Sequence, residues 1–454
     1  MTNRSNHDRD PFDELMRQWM RESAPPQAPE HLLHAIHDAA GSTPQHKRGG
    51  GWPVALGMIA ALAVAVVITV SVGITRPIGR DGATDTPVPS SSTQPSSSAP
   101  VESSPTDAPS PSPSLDPWRR AEVEIPAENS SVMHEVVNGP AGYVAVGGGG
   151  SVEGLGGVLA WHSADGESWA LTLDAHAEQD GSQMLDVSAI ATGYVGVGYN
   201  FPGTPVWIST DGVTWREADD PSAPSGSSHS LNAIAGGEAG LMAIGFTTAD
   251  DAQIATAWSS SEGEAWERLE VPDAYASAWP VDVAVASGGT AVIVGMTQPG
   301  HGDPVAWVKG RGLIADPVTL PSEDPEAAVD LVVATPEGFT AIGHGWDPAQ
   351  SAYRLLGWRS ADGSSWEPID TESIGFPLGA AQIDGRGEVV VGATMGIETS
   401  EVSAWHMGED GAWRTVIVER SNGSGEAVLE RSDGQLLIVG ADDPDGSATV
   451  WVEP

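Results

Sequence analysis

Residues 161–169 read W-H-S-A-D-G-E-S-W, and the phrase returns down the chain. It is W-I-S-T-D-G-V-T-W at 207–215, W-S-S-S-E-G-E-A-W at 258–266, W-R-S-A-D-G-S-S-W at 358–366 and W-H-M-G-E-D-G-A-W at 405–413. A repeat of this length marks one supersecondary unit copied along the chain, its copies burying each other's faces. The leading tryptophan sets the period: Trp161, Trp207, Trp258, Trp307, Trp358, Trp405 and Trp451, in steps of 46, 51, 49, 51, 47 and 46. A second marker keeps the same beat. Short apolar runs end in Gly147, Gly198, Gly245, Gly295, Gly343, Gly392 and Gly440. Both markers give seven copies.

Each copy holds four short apolar or alternating runs parted by Gly, Pro, Asp and Ser, the pattern of four β-strands. In the first copy these are 133–137, 143–146, 158–162 and 168–173. Four strands per 46–51 residues predict an all-β, seven-bladed β-propeller over residues 117–454. The last copy stops after its third strand, at W-V-E-P (451–454), while W-R-R-A-E-V-E-I-P (118–126) matches the fourth strand W-E-R-L-E-V-P (266–272). The N-terminal strand is therefore expected to complete blade seven, which leaves no sheet edge open. In the phrase itself, Asp-Gly suits a tight turn with glycine at positive φ, Ser and Asp can accept turn amides, and the tryptophans pack between blades.

S-x-D-G-x-S/T-W resembles the Asp-box repeat of sialidase-type and related propellers, which sits in the turn between third and fourth strands. The usual box has one more residue between Asp and Gly. The resemblance covers 117–454 and implies the fold; unrelated activities share the box.

The chain of 454 residues has no cysteine, so it has neither disulfides nor thiol chemistry. Residues 52–75 are uncharged and mostly apolar, long enough for a membrane-spanning helix. Residues 76–116, dominated by Ser, Pro and Thr from 81 onward, read as a disordered stalk. Such stalks are common outside cells, so the N-terminus is placed in the cytoplasm and the propeller outside. The propeller carries 50 Asp and Glu against 12 Lys and Arg, which argues against nucleic acid or anionic lipid as partners.

Residues 1–51 form a separate cytoplasmic segment. Phe12, Leu15, Met16, Trp19 and Met20 fall on one face of a helix. A second short helix reads at 29–40, with Leu32, Leu33 and Ile36. Two short helices cannot bury a core alone, so Phe12, Leu15 and Trp19 are expected to dock on the membrane, the second helix or a partner protein. Helices, one span, a stalk and an outer domain resemble the layout of bacterial membrane-bound anti-sigma factors, which implies a sigma factor as partner. The His-Cys-Cys motif of their zinc-binding subset is absent, and His31, His34 and His37 drift around their helix without converging.

In this fold the loops joining strands two to three and those joining blades share one face, here called the first face. The repeated turns lie on the other. Ligands usually bind the first face, so residues that break the repeat there are the candidates. Trp279 and Trp346 lie outside the tryptophan pattern and suit stacking on a sugar or gripping a peptide or protein ligand. Tyr199, Phe201, Tyr275, His301, His344 and Tyr353 fall in neighbouring loops. Aligned on the repeat glycines, Glu135, Asp186, Asn232, Asp282 and Asp330 occupy one position of the first strands, with Ala380 and Val428 in blades six and seven. They either ring the channel mouth for a cation or polar ligand or bind neighbouring backbone.

No cofactor is expected. Asp442-Asp443-Pro444-Asp445-Gly446 has the composition of a calcium loop without EF-hand spacing, and reads as an acidic turn. A sialidase is implied to hold its substrate carboxylate with three arginines. Here Arg216, Arg268, Arg359 and Arg414 belong to the repeated phrase, on the other face. The reading is a membrane-anchored propeller for binding or sensing; the alternative is a membrane-anchored sialidase-like glycoside hydrolase.

Overall fold

Seven sheets, antiparallel but for one added strand in the first, follow one another along the chain and close into a ring. The computed structural model describes residues 118–454 apart from stretches at 127–129, 152–153, 177–181, 201–204, 219–227, 238–239, 250–251, 300–301, 311–312, 370, 372, 396–399, 408–412 and 443–445. The cytoplasmic segment with Phe12, Leu15 and Trp19, the membrane-spanning stretch, the stalk, Phe201 and His301 lie outside the described residues. Among the described residues no helix is long and apolar enough to cross a membrane.

The first strands of the blades are Ser130–Gly139, Gln183–Ile190, Ser228–Gly237, Trp279–Val285, Ala328–Thr335, Phe376–Ile383 and Ser424–Glu430. Each touches the first strand of the next blade, and the seventh touches the first, so these strands surround the centre of the ring. Strands two, three and four follow outward in order.

Every first strand carries a β-bulge opposite the repeat glycine. In blade one Met133 pairs with Gly147 and Glu135 with Val146, leaving His134 unpaired. The same slip occurs in the other six. This explains the glycine marker. A Cβ on Gly147, Gly198, Gly245, Gly295, Gly343, Gly392 or Gly440 would stand well inside 3.0 Å of a first-strand carbonyl oxygen. The bulge pushes that carbonyl across the sheet, and only glycine gives it room.

The core is divided among the seven junctions between blades, one hydrophobic cluster in each. Six of the period-setting tryptophans (161, 258, 307, 358, 405 and 451) are fully buried. Truncating such a ring costs about 3–5 kcal/mol. The junction of blades five and six is the thinnest: Ile342, Leu355, Val390 and Trp405 are its buried members.

The repeated turn works as its residues imply. In blade one Ser163 Oγ accepts the Gly166 amide at 2.8 Å, and Asp165 Oδ1 accepts Glu167 and Ser168 at 2.8 and 3.0 Å. Blades two and five repeat this with Ser209/Asp211 and Ser360/Asp362. In blade three Ser260 still caps Gly263, although Glu262 replaces the aspartate.

Ring closure has a feature beyond the expected strand. Arg119–Arg120 pairs antiparallel with Ser447–Val452 as the fourth strand of blade seven. Two residues later, Glu122–Val123 runs parallel to the outer strand of blade one, Ser168–His176. One short segment thus belongs to two blades. Trp161 Nε1 donates to the Glu124 carbonyl at 2.8 Å, and Arg119 and Arg431 both bind Glu167 across the seam.

Candidate functional site

The bulges place acidic side chains on the first strands, which surround the centre of the ring, and also change which residues are equivalent. By strand register, Glu135, Asp186 and Asp282 share the position just after the bulge. Asn232 and Asp330 are one residue earlier, at the bulge itself, together with His134 and Glu426. The residues matching Glu135 in blades six and seven are Gly379 and Ala427, not Ala380 and Val428. Counting back from the glycine fails in blades four, six and seven, whose first-to-second hairpins are one residue longer. In blades three and five the count leads to Ala233 and Leu331, next to the acidic or amide residue at the bulge. A bulge lets two successive residues serve one side, so both positions reach neighbouring blades.

These carboxylates are bound to backbone. Asp186 accepts Val187 N–H at 2.6 Å and, across the junction, Ile234 N–H at 2.7 Å. Asp282 does the same with Val283 at 2.7 Å and Val332 at 2.8 Å. Asn232 donates to the Pro280 carbonyl at 3.3 Å. Glu135 takes only its own bulge amide, Val136, at 2.9 Å. Loss of water raises all three acids, Asp186 to about 8, Asp282 to about 6 and Glu135 well above its ordinary value, where the Asp186 charge adds to the effect. Burial pushes the His134 imidazole down against the pull of Glu426. Among the described residues no group of three or more His, Cys, Asp or Glu side chains is arranged to hold a metal ion.

A different arrangement stands on the first face at blade five, built by its hairpin Gly338–Asp347 and Ala352–Ser360. Register sets Trp346 opposite Tyr353, and His344 lies two residues back on the same side. The rings of Trp346 and Tyr353 meet edge to face at 5.2 Å. His344 meets Tyr353 at 5.2 Å and Phe376, which begins blade six, at 4.5 Å. Phe376 meets Tyr353 at 5.3 Å. Three of these rings cap the thin junction of blades five and six. Trp346 is 36% exposed, unusual for so large an apolar side chain.

Polar groups hold the ledge from behind. His344 Nδ1 donates to Asp330 Oδ2 at 2.6 Å. Burial opposes a charge on His344, but Asp330 and the more distant Asp324 outweigh it, and the imidazole is raised above its ordinary value. Arg354 donates to Asp324 at 3.0 Å. A Cβ on Gly345 would collide with the Asp324 carboxylate, so glycine keeps this pair intact. Trp346, Asp347, Pro348 and Arg354 line an open pocket of about 250 Å³.

Trp279 and Trp346 lie towards the same face but do not share this pocket. Trp279 opens the first strand of blade four and packs on Phe246 of blade three at 4.4 Å, inside two junction cores. Tyr275, expected in a loop, is fully buried in the helical turn Asp273–Ala276 against Trp307. Tyr199 is half-buried opposite Gln183, and burial raises its phenol to about 12. Asp442 pairs with Arg120 in the closing seam.

Residue-type reading missed Asp324, Arg354, Phe376, His134 and Glu426. The last two would have followed from placing a bulge opposite each glycine. Phe376 follows a repeat boundary, a cue that aromatics there face the preceding blade. Nothing in the sequence pairs Asp324 with Arg354.

No protein-family model matches this sequence, and no curated protein matches it. Solved propellers are similar in fold only. A protein of unknown function from Dyadobacter fermentans aligns over 75% of this chain and 99% of its own, with 12% identity and a TM-score of 0.42. A streptogramin B lyase aligns over 74% and 96%, with 8% identity and a TM-score of 0.42. A gluconolactonase from Xanthomonas campestris aligns over 75% and 98%, with 12% identity and a TM-score of 0.40. At these identities the likeness concerns strand arrangement and carries no site residue across. The likeness of the turn phrase to the Asp-box stays one of sequence.

Proposed function

We propose that this chain is a membrane-anchored binding or sensing protein whose propeller takes its ligand on the first face at blade five. The observation that carries this is the exposed Trp346 above the Tyr353, His344 and Phe376 rings, beside an open pocket. Large aromatics held rigid by packing and left in water are the usual anchors of recognition. The channel carboxylates support the reading by their occupation with backbone amides. Anchoring rests on the apolar stretch 52–75 and the Ser/Pro stalk, and docking of a cytoplasmic regulator rests on Phe12, Leu15 and Trp19.

Orientation is testable because the chain lacks cysteine. Ser103→Cys should react with a membrane-impermeant maleimide on intact cells, and Ser5→Cys only after permeabilisation. The reverse pattern would overturn the topology. A pull-down with the full chain should lose its cytoplasmic partner on Phe12→Ala with Trp19→Ala.

A second reading, a glycoside hydrolase, is favoured by Glu135 alone. Its raised carboxyl has the protonation of a general acid and lies near Asp186. Turnover of chromogenic glycosides that is abolished by Glu135→Gln would put this reading first.

A further inference from the structure

On the blade-six side of the blade-five hairpin, the ledge offers aromatic surface together with neutral hydrogen-bond donors. The Trp346 and Tyr353 rings stand edge to face at 5.2 Å, and neither residue is buried. Trp346 Nε1 and the Tyr353 hydroxyl make no hydrogen bond among the described residues. Burial, then the charges of Glu326 and Asp330, raise the Tyr353 phenol, so it stays a neutral donor. We infer that this ledge is occupied by residues 87–100 of the same chain, P-V-P-S-S-S-T-Q-P-S-S-S-A-P, in an extended polyproline conformation. The inference rests on the binding site proposed above and gives it a resident ligand that an outside partner has to displace.

Three observations argue for this occupant. The first is hydrogen bonding. A polyproline-type chain makes no internal hydrogen bonds and keeps its carbonyls open, while its prolines have no N–H to donate. It therefore asks for donors beside flat aromatic surface, which Trp346 and Tyr353 supply. Its preformed conformation also lowers the entropy lost on docking.

The second is charge. The propeller carries 50 Asp and Glu against 12 Lys and Arg, so it repels acidic segments. Glu102, Asp107 and Asp116 lie nearer the propeller in sequence, whereas 87–100 holds no charged residue.

The third is the tether. Trp118 packs on the junction of blades six and seven, the neighbour of the junction that carries the ledge. The seventeen residues 101–117 that separate it from the segment reach roughly 50 Å at about 3.1 Å per residue, close to the width of a domain this size. Such a tether holds the segment at an effective concentration on the order of millimolar. One exposed indole without a deep cavity holds a free peptide weakly, but a tethered one needs no more.

The test uses the full chain, whose lack of cysteine allows a single label. Ser92→Cys carries bimane, which an indole quenches on contact. Its fluorescence should be at least twofold lower in the parent chain than in Trp346→Phe, and Tyr353→Phe should restore part of the difference. Pro87→Gly, Pro89→Gly, Pro95→Gly and Pro100→Gly together, all outside the folded domain, should restore most of it. Thermal midpoints of the Trp346 and Tyr353 variants check that the fold survives. Bimane-labelled hexaproline is then added to the unlabelled chain carrying the four glycines. A chain label that ignores Trp346→Phe, with hexaproline quenched only when Trp346 is present, would overturn the resident ligand and leave the site standing. A label that responds to Trp346→Phe but not to the four glycines would overturn the polyproline assignment. No Trp346-dependent signal from either probe would overturn both the inference and the site.

Discussion

The Asp186 carboxylate of blade two accepts the backbone amide of Ile234 in blade three at 2.7 Å, while its other oxygen accepts its own neighbour Val187. One side chain thus serves two orphaned amides on either side of a blade junction. Blade three has Ala233 where Asp186 stands in blade two, so it cannot serve its own amide. Asp282 fills the same gap for blade five through Val332. Asp186→Ala should leave both amides buried without partners, at about 1–3 kcal/mol for each unsatisfied group. Denaturant unfolding should show a loss of at least ~2 kcal/mol. A loss below ~0.5 kcal/mol would mean that water replaces the carboxylate.

The same acids set the pH response. Carboxyls in an unfolded chain titrate near 3.9–4.3, whereas Asp282 and Asp186 titrate at about 6 and 8 and Glu135 is raised well above its usual value. Between those limits the native state holds more protons than the unfolded chain, so stability falls as pH rises. Below that window the sign reverses. Glu167, held at about 2 first by Arg119, and the turn aspartates Asp165, Asp211 and Asp362, lowered by backbone amides, lose their contribution as pH drops. The thermal midpoint is expected to peak near pH 4–5 and decline towards pH 8. Glu135→Gln should flatten the decline. A midpoint that rises steadily from pH 5 to 8 would contradict this assignment.

Glycines test the bulge. Gly245→Ala puts a methyl group against the Ser230 carbonyl. The backbone must shift, and a cost above ~3 kcal/mol is expected, beyond ordinary overpacking. Gly288→Ala is the comparison, since a Cβ there meets nothing within 4 Å. It should be neutral or stabilising by about 0.4–1 kcal/mol. Equal effects in a paired melting experiment would refute the steric account.

At the seam, backbone pairing should outweigh charge. Arg119 is nearly half exposed in its pair with Glu167, and such pairs are worth about 0–1 kcal/mol. Arg119→Ala is therefore expected to be nearly silent, and more so in high salt. The Ala121 amide donates to the Val450 carbonyl and the Glu124 amide to the Trp169 carbonyl. Replacing both Ala121 and Glu124 by proline removes ladder donors from two blades and should expose the edges of Ser447–Val452 and Ser168–His176. Size-exclusion chromatography should then show aggregates.

The ring was legible in the sequence because tryptophan and glycine recur at fixed places in every blade, and each has a purely local cause: Trp161 fills a junction and Gly147 faces a bulge. Closure by residues 119–120 was legible for the same reason. The parallel pairing of Glu122–Val123 was not, because two residues carry no periodicity. The acidic positions were found but misaligned, since neither the residue at a bulge nor one extra residue in a hairpin is visible until strand register is known. Asn232 and Asp330 are themselves the bulge residues, and blades four, six and seven have the longer hairpins. At the ledge, Trp346 and His344 stood out by breaking the pattern. Trp279 broke it too, yet it serves as a packing wedge against Phe246, a distinction that depends on the width of the gap between blades.

Arg120 and Asp442, joined across the seam, are 322 residues apart in the chain. A ribosome adding about 5–20 residues per second releases the first some tens of seconds before the last. Through that interval the segment cannot yet meet blade seven. Its parallel pairing with Ser168–Trp169 becomes available much earlier, as soon as blade one emerges. The extra strand thus parks the segment beside the place where its final partner will arrive. It also shortens the search that closing so long a loop would otherwise require. Timing of synthesis, and not stability alone, is a reason for one short segment to belong to two blades.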